Sequence, residues 1–276
     1  MHPPASYEAI RIRRGPLAVL VALVSLSCGG DRIGWTDPMT VSSAIVDAQL
    51  VVDMAGRASF VPDTSVNVMP AGAGRICPTS LQTARQDDAT LVAVWWSVRA
   101  DSSAVLLSAV SPDGGEKWDS AVHVDTTDVS VTGCSRPAPA IAASAGFVHL
   151  AYSMQAAEGT GVFYAHSMTH GRSYEAPIAI VYGDRVTPAA VSADRANVAV
   201  VYEDPSGATP QVGLAISRDW GHIFDDRVRG STGLGPATMP QVAVAGREIA
   251  VSWLQRWRGV DSASRATRVV RVGRLP

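Results

Sequence analysis

The strongest constraint on this chain is that short segments recur along it in a fixed order, at intervals of about 50 residues. Ser111-Pro-Asp113-Gly-Gly115-Glu-Lys-Trp118 returns as Ser167-Met-Thr169-His-Gly171-Arg-Ser-Tyr174, then as Ser217-Arg-Asp219-Trp-Gly221-His-Ile-Phe224. Upstream of each lies an alternating apolar segment that ends in an aromatic residue: Trp96, Tyr152, Tyr202 and, in a fourth copy, Trp253. Earlier still stand Pro78, Pro139, Pro188 and Pro240, each leading into a short apolar stretch. Alternation with period 2, cut by turn residues, predicts about four short strands per unit and no convincing helix. Tandem four-stranded units of this length predict an all-β chain, a β-propeller with four clear blades and a possible short fifth. The last unit stops after a third strand, Ala266 to Val272. Trp35 to Val41 echoes Trp118 to Val124 and is expected to close the ring as an N-terminal strand, while Ser42 to Gly74 leaves room for the short blade.

The signature Ser-x-Asp-x-Gly-x-x-aromatic resembles the Asp-box (BNR repeat) of sialidase-type propellers, with two full copies and one in which Thr169 replaces the aspartate. The resemblance implies structural turns between third and fourth strands. Ser111, Asp113, Ser167, Ser217 and Asp219 would fold the turn, Gly115, Gly171 and Gly221 would supply a backbone conformation closed to other residues, and Trp118, Tyr174 and Phe224 would pack between blades. It also implies that these turns lie on the face opposite the family's binding site. Catalytic sialidases have six blades, more than this chain provides.

Residues 1–30 read as an export signal: Arg11, Arg13 and Arg14 precede the apolar run Pro16 to Leu26, followed by Ser27-Cys28-Gly29-Gly30. The run is too short to span a bilayer. Its end resembles a bacterial lipoprotein signal, which implies lipidation of Cys28; an ordinary cleaved signal and an uncleaved N-terminal anchor are the alternatives. The folded part, residues 31–276, is expected outside the cytoplasm, periplasmic or at the cell surface and held at a membrane. In an oxidising compartment Cys77 and Cys134 form either a disulfide or two buried thiols. With 23 Lys+Arg against 25 Asp+Glu, the net charge of −2 argues against nucleic acid as the main partner. A chain that is 47% hydrophobic and 17% charged has enough apolar residues for a sizeable core.

Chemistry is harder to find. Arg75, Arg136 and Arg185 each stand three residues before a repeat proline, where the fourth unit has Ala237. On blades, these positions surround one mouth of the central axis, and three guanidinium forks there suit a carboxylate. The same arginines can instead pair with Asp87, Asp125, Asp184 or backbone carbonyls and tie blades together. Sialidases grip the sialic acid carboxylate with an arginine triad, and Arg75-Ile76 with nearby Pro78 resembles their Arg-Ile-Pro element, although Cys77 is inserted. The resemblance further implies an aspartate proton donor, for which Asp101 is the candidate by chain order, and a tyrosine nucleophile with a glutamate. Tyr202-Glu203 is the adjacent pair, yet neighbours on a strand point to opposite faces and Tyr202 reads better as an inter-blade aromatic. Trp257, in an expected loop, is a candidate sugar platform. The histidines show no metal spacing, and no phosphate loop or G-x-S-x-G nucleophile motif occurs, so neither metal nor cofactor is expected.

Two classes of function fit. One is a binding or scaffolding propeller whose partner is a protein complex at a membrane surface or a glycan. The other is an exo-glycosidase of the sialidase class acting on carboxylated sugars, with Arg75, Arg136 and Arg185 as its grip. The incomplete catalytic set favours the first.

Overall fold

The computed structural model describes residues 33–41, 48–63, 68, 70, 75–86, 89–233, 235–258 and 264–276. The export signal and Cys28 lie outside them. The described residues open with two short strands, β1 (Gly34–Trp35) and β2 (Met39–Val41), and a hairpin, β3 (Ala48–Val52) and β4 (Ala58–Pro62). The first complete sheet is β5 (Gln82–Arg85), β6 (Leu91–Val98), β7 (Ala104–Ser111) and β8 (Val122–Asp125). The second is β9 (Ala140–Ser144), β10 (Phe147–Ala156), β11 (Gly159–Ser167) and β12 (Ile178–Gly183), and the third is β13 (Ala189–Asp194), β14 (Asn197–Glu203), β15 (Val212–Ser217) and β16 (Asp226–Arg229). The last combines β17 (Ala237–Ala245), β18 (Glu248–Arg258) and β19 (Ser264–Arg274) with β1 and β2, both paired to β19. The closing strand expected over Trp35 to Val41 is therefore real but split. Pro38 has no N–H to offer a ladder, and Thr36 bonds Val272 O through both its N–H and its hydroxyl as the chain turns.

The first strands of the five sheets, β3, β5, β9, β13 and β17, surround one central cavity of about 790 Å³. The architecture is a β-propeller whose fifth sheet is the β3–β4 hairpin. Alternation along each second strand builds it. Val92, Val94 and Trp96 of β6 pack on Val148, Leu150 and Tyr152 of β10, while Ala93 and Trp95 turn the other way, onto Leu81 and Ala109. Ala151 then joins Val198, Val200 and Tyr202, Ala199 and Val201 join Ile249, Val251 and Trp253, and Ala250 joins Leu50. Each large apolar side chain buried this way contributes about 1.5–3 kcal/mol.

The two rims differ in construction. Ser217 pairs with Val198, one residue from the Asp194–Asn197 turn, so the Asp-box turns share a rim with the hairpins joining first and second strands. In each box the buried serine hydroxyl accepts from the glycine N–H: Gly115 to Ser111 at 2.7 Å, Gly171 to Ser167 at 2.9 Å, Gly221 to Ser217 at 3.1 Å. Thr169 substitutes for aspartate directly, its Oγ1 accepting from Ser173 N as Asp113 Oδ1 accepts from Lys117 N. The residue before each glycine also lies in the left-handed region: Gly114, His170 and Trp220, at φ of 77°, 59° and 56°. The two non-glycine side chains reach the preceding sheet. His170 Nδ1 meets Gln86 Oε1 at 2.9 Å, and the Trp220 ring stacks on Phe147 at 4.7 Å.

Candidate functional site at the arginine rim

The opposite rim carries the hairpins joining second and third strands and the connections between sheets. It holds all three arginines of the repeat. Ile76, next to Arg75, bridges Ser97, and Arg75 itself is exposed. Arg136 is engaged inside the protein: Nη2 lies 3.0 Å from Asp128 Oδ2, the two side chains are 4% and 2% exposed, and the same nitrogen donates to Ser130 O at 3.1 Å. Its guanidinium sits over the Trp96 ring at 5.5 Å, and burial lowers its pKa against the opposing pull of Asp128. Arg185 Nη2 donates to the carbonyls of Asp204 (3.2 Å) and Gly207 (2.6 Å). Of the carboxylates expected as structural partners, Asp87 lies outside the described residues, and neither Asp125 nor Asp184 pairs with these two. Arg136 takes Asp128 and Arg185 takes backbone. In the fourth unit, Ala237 leaves the position empty of charge, and the buried Arg268 donates to Met239 O at 2.8 Å.

Cys77 and Cys134 are joined by a disulfide, which clamps the chain just ahead of Arg136 to the approach of β5. Trp96 Nε1 donates to Pro137 O at 3.0 Å from the same side. The Arg136 segment is thus held by a covalent bond, an ion pair and an aromatic platform.

Beside it, Arg99, Asp101, Asp128, Val129, Val131 and Glu158 border a groove of about 480 Å³. Asp101 Oδ1 accepts from the hydroxyl of Ser103 at 2.7 Å and from its N–H at 3.0 Å, and these bonds hold its pKa below the usual carboxylate value. That direction is opposite to what a general acid needs. Arg99 ties the hairpin to the groove's far wall through Thr126 O (2.9 Å). Asp128 receives Ala104 N and Arg136 through one oxygen, and its buried Oδ1 has no partner among the described residues.

The remaining candidates do not assemble. Tyr202 lies in the core between the second and third sheets, its ring packed against Gly213, and burial raises its pKa. Glu203 points elsewhere and accepts from Met239 N at 2.8 Å. Tyr152 does meet a carboxylate, donating to Asp125 Oδ2 at 2.7 Å, but both groups are buried between sheets. Trp257 corrects the expected loop: β18 continues to Arg258, with Trp257 opposite Arg265, because the final hairpin is longer than its counterparts. Its side chain is not among those described. Among the described residues, no cluster of His, Cys, Asp or Glu is arranged to hold a metal ion. The loop from Gln155 to Glu158, between a second and a third strand, was expected on this rim and does bring Glu158 to the groove; sequence reasoning missed Asp128, which falls on no repeated position.

No protein-family model matches the chain, and a search of functionally characterised proteins likewise finds no match. Solved structures similar to it include the Hadza microbial sialidase Hz136 (15% identity, TM-score 0.45, 68% of this chain and 43% of that one). A Trypanosoma rangeli sialidase matches at 11% identity and TM-score 0.43, over 79% of this chain and 38% of its own. A Dyadobacter fermentans protein of unknown function matches at 9% identity and TM-score 0.47, over 89% of this chain and all of its own. The chain spans less than half the length of these two sialidases.

Proposed function

We propose that this chain is an extracytoplasmic, membrane-attached binding propeller that holds a neutral glycan in the groove at its arginine rim and does not hydrolyse glycosides. The observation that carries this reading is the internal use of Arg136. A carboxylate grip needs guanidinium forks turned to an open ligand, and this one lies on Asp128 and Trp96 beneath the surface. The groove's charges point the same way. With Asp128 neutralised by Arg136 behind it, Asp101 and Glu158 outnumber Arg99 along the lining, so a carboxylated sugar meets a negative surplus, whereas hydroxyl groups can donate to Asp101 and Glu158 and the sugar's C–H faces can lie on Val129 and Val131.

The test has two arms. Purified protein is incubated with a fluorogenic sialoside, and titrated against neutral and sialylated oligosaccharides by calorimetry. The expected result is no turnover, with binding of neutral glycans that Glu158→Ala weakens. Turnover abolished by Arg136→Ala would overturn the reading in favour of a sialidase. Stoichiometric co-purification of a membrane protein, with no glycan bound, would replace the glycan with a protein partner.

A further inference from the structure

The register of the closing strands fixes where the chain enters the folded body. Gly34 pairs with Arg274 and Trp35 with Gly273, while at the other end Val41 pairs with Arg268. Arg274 is also opposite Glu248, beside the turn that links β17 to β18. The chain therefore enters at the Asp-box rim and runs up β19 toward the arginine rim. Ile33 is buried there, in the core that the last sheet shares with its neighbour.

We infer that the Asp-box rim rests on the lipid bilayer and that the arginine rim, with its groove, faces away from it. The inference rests on the membrane attachment proposed above and adds its direction. Cys28 is five residues before Ile33, and five extended residues reach at most about 17 Å. The 11 residues of β19 span about 36 Å from rim to rim. A lipid held on so short a tether cannot pass around the body to the far rim.

The Asp-box rim also presents exposed apolar tips. Met54, at the β3–β4 turn, is 70% exposed; Met168 and Ile223, in the second and third Asp-boxes, are 47% and 62% exposed. All three sit on turns held rigidly by the serine and left-handed contacts described above, or, for Met54, against Gly246 of the next sheet. Shallow insertion of such side chains into the headgroup region buries further apolar area and holds this rim, not merely the tether, against the membrane.

The test uses the full chain purified from membranes and reconstituted in vesicles of phosphatidylethanolamine and phosphatidylglycerol, with nitroxide-labelled lipid as quencher. One sample carries Ile223→Cys and another Thr209→Cys, an exposed position in the arginine-rim loop after β14, each with a fluorophore on the new thiol. Quenching is expected at position 223 and not at 209. Equal quenching, or quenching at 209 alone, would overturn the orientation. An unlipidated N-terminus, by mass spectrometry, on a chain found only in the soluble fraction would overturn it together with the membrane attachment. Loss of glycan binding in correctly oriented protein would count against the groove alone.

Discussion

Removing the Arg136 side chain separates a structural arginine from a ligand-gripping one. In Arg136→Ala, Asp128 keeps only Ala104 N as a partner for a carboxylate whose side chain is 2% exposed. Stranding one member of a buried ion pair costs about 3–5 kcal/mol, and the lost contact with the Trp96 ring adds to it, so about 4 kcal/mol is expected. With a urea m-value of about 2.5 kcal/mol/M, the unfolding midpoint falls by about 1.5 M. Arg136→Met combined with Asp128→Asn removes both charges while leaving an acceptor for Ala104 N, and should cost only about 1 kcal/mol. Urea titrations followed by tryptophan fluorescence, with the disulfide intact, measure all the variants. If Arg136→Ala moves the midpoint by less than about 0.3 M, or if the double variant is no better than the single, the ion pair is not what holds this segment. Arg136 would then be free for a ligand.

Gly171→Ala places a Cβ 2.9 Å from Val92 Cγ1 at φ 89°, and should cost about 2–4 kcal/mol in thermal unfolding; Gly114→Ala, at φ 77° with open space around it, should cost only about 1–2 kcal/mol. Burial, with His166 and His222 nearby, lowers the His149 pKa from its ordinary 6.5 to about 3. Below pH 6.5 the unfolded chain therefore binds a proton that the folded one refuses, and stability should fall by about 1.4 kcal/mol per pH unit between 6.5 and 3. Denaturant midpoints taken from pH 7 to pH 4 should show this slope, and His149→Gln should flatten it. Replacing both Cys77 and Cys134 with serine opens a cross-link between residues 57 apart and should cost about 4 kcal/mol, measured as a reductant-insensitive loss of thermal stability.

Much of the fold was legible because propeller sheets are local. The Asp-box repeats with its serine and glycine intact, and Leu91 to Trp96 reads as a strand, although it is apolar at every position instead of alternating because each second strand packs on both faces. The conformation of the box glycines was legible, but the left-handed position before each was not. Gly114 announces one, but His170 and Trp220 occupy the same conformation without glycine, and nothing in their identity shows that their rings bind Gln86 and Phe147 of the preceding sheet. The gain from those contacts offsets a backbone preference that a sequence reader takes as decisive.

The arginines show the reverse difficulty. Their common spacing before Pro78, Pro139 and Pro188 predicted a shared rim, and the sheet order supplies one, yet equal register does not make equal environments. The disulfide closes the segments of both Arg75 and Arg136, but Arg136 is the one that lies over Trp96 and out of solvent, so its charge had to be met inside, and Asp128 meets it. Asp128 comes from the connection between sheets, which has no repeat and no periodicity to announce it. A site assembled from such connections is invisible to self-comparison, because the repeats encode the walls of a propeller and leave its mouth to the segments that vary. The groove beside Asp101 and Glu158 therefore belongs to this chain rather than to its architecture, and its ligand has to be sought by measuring binding at those side chains.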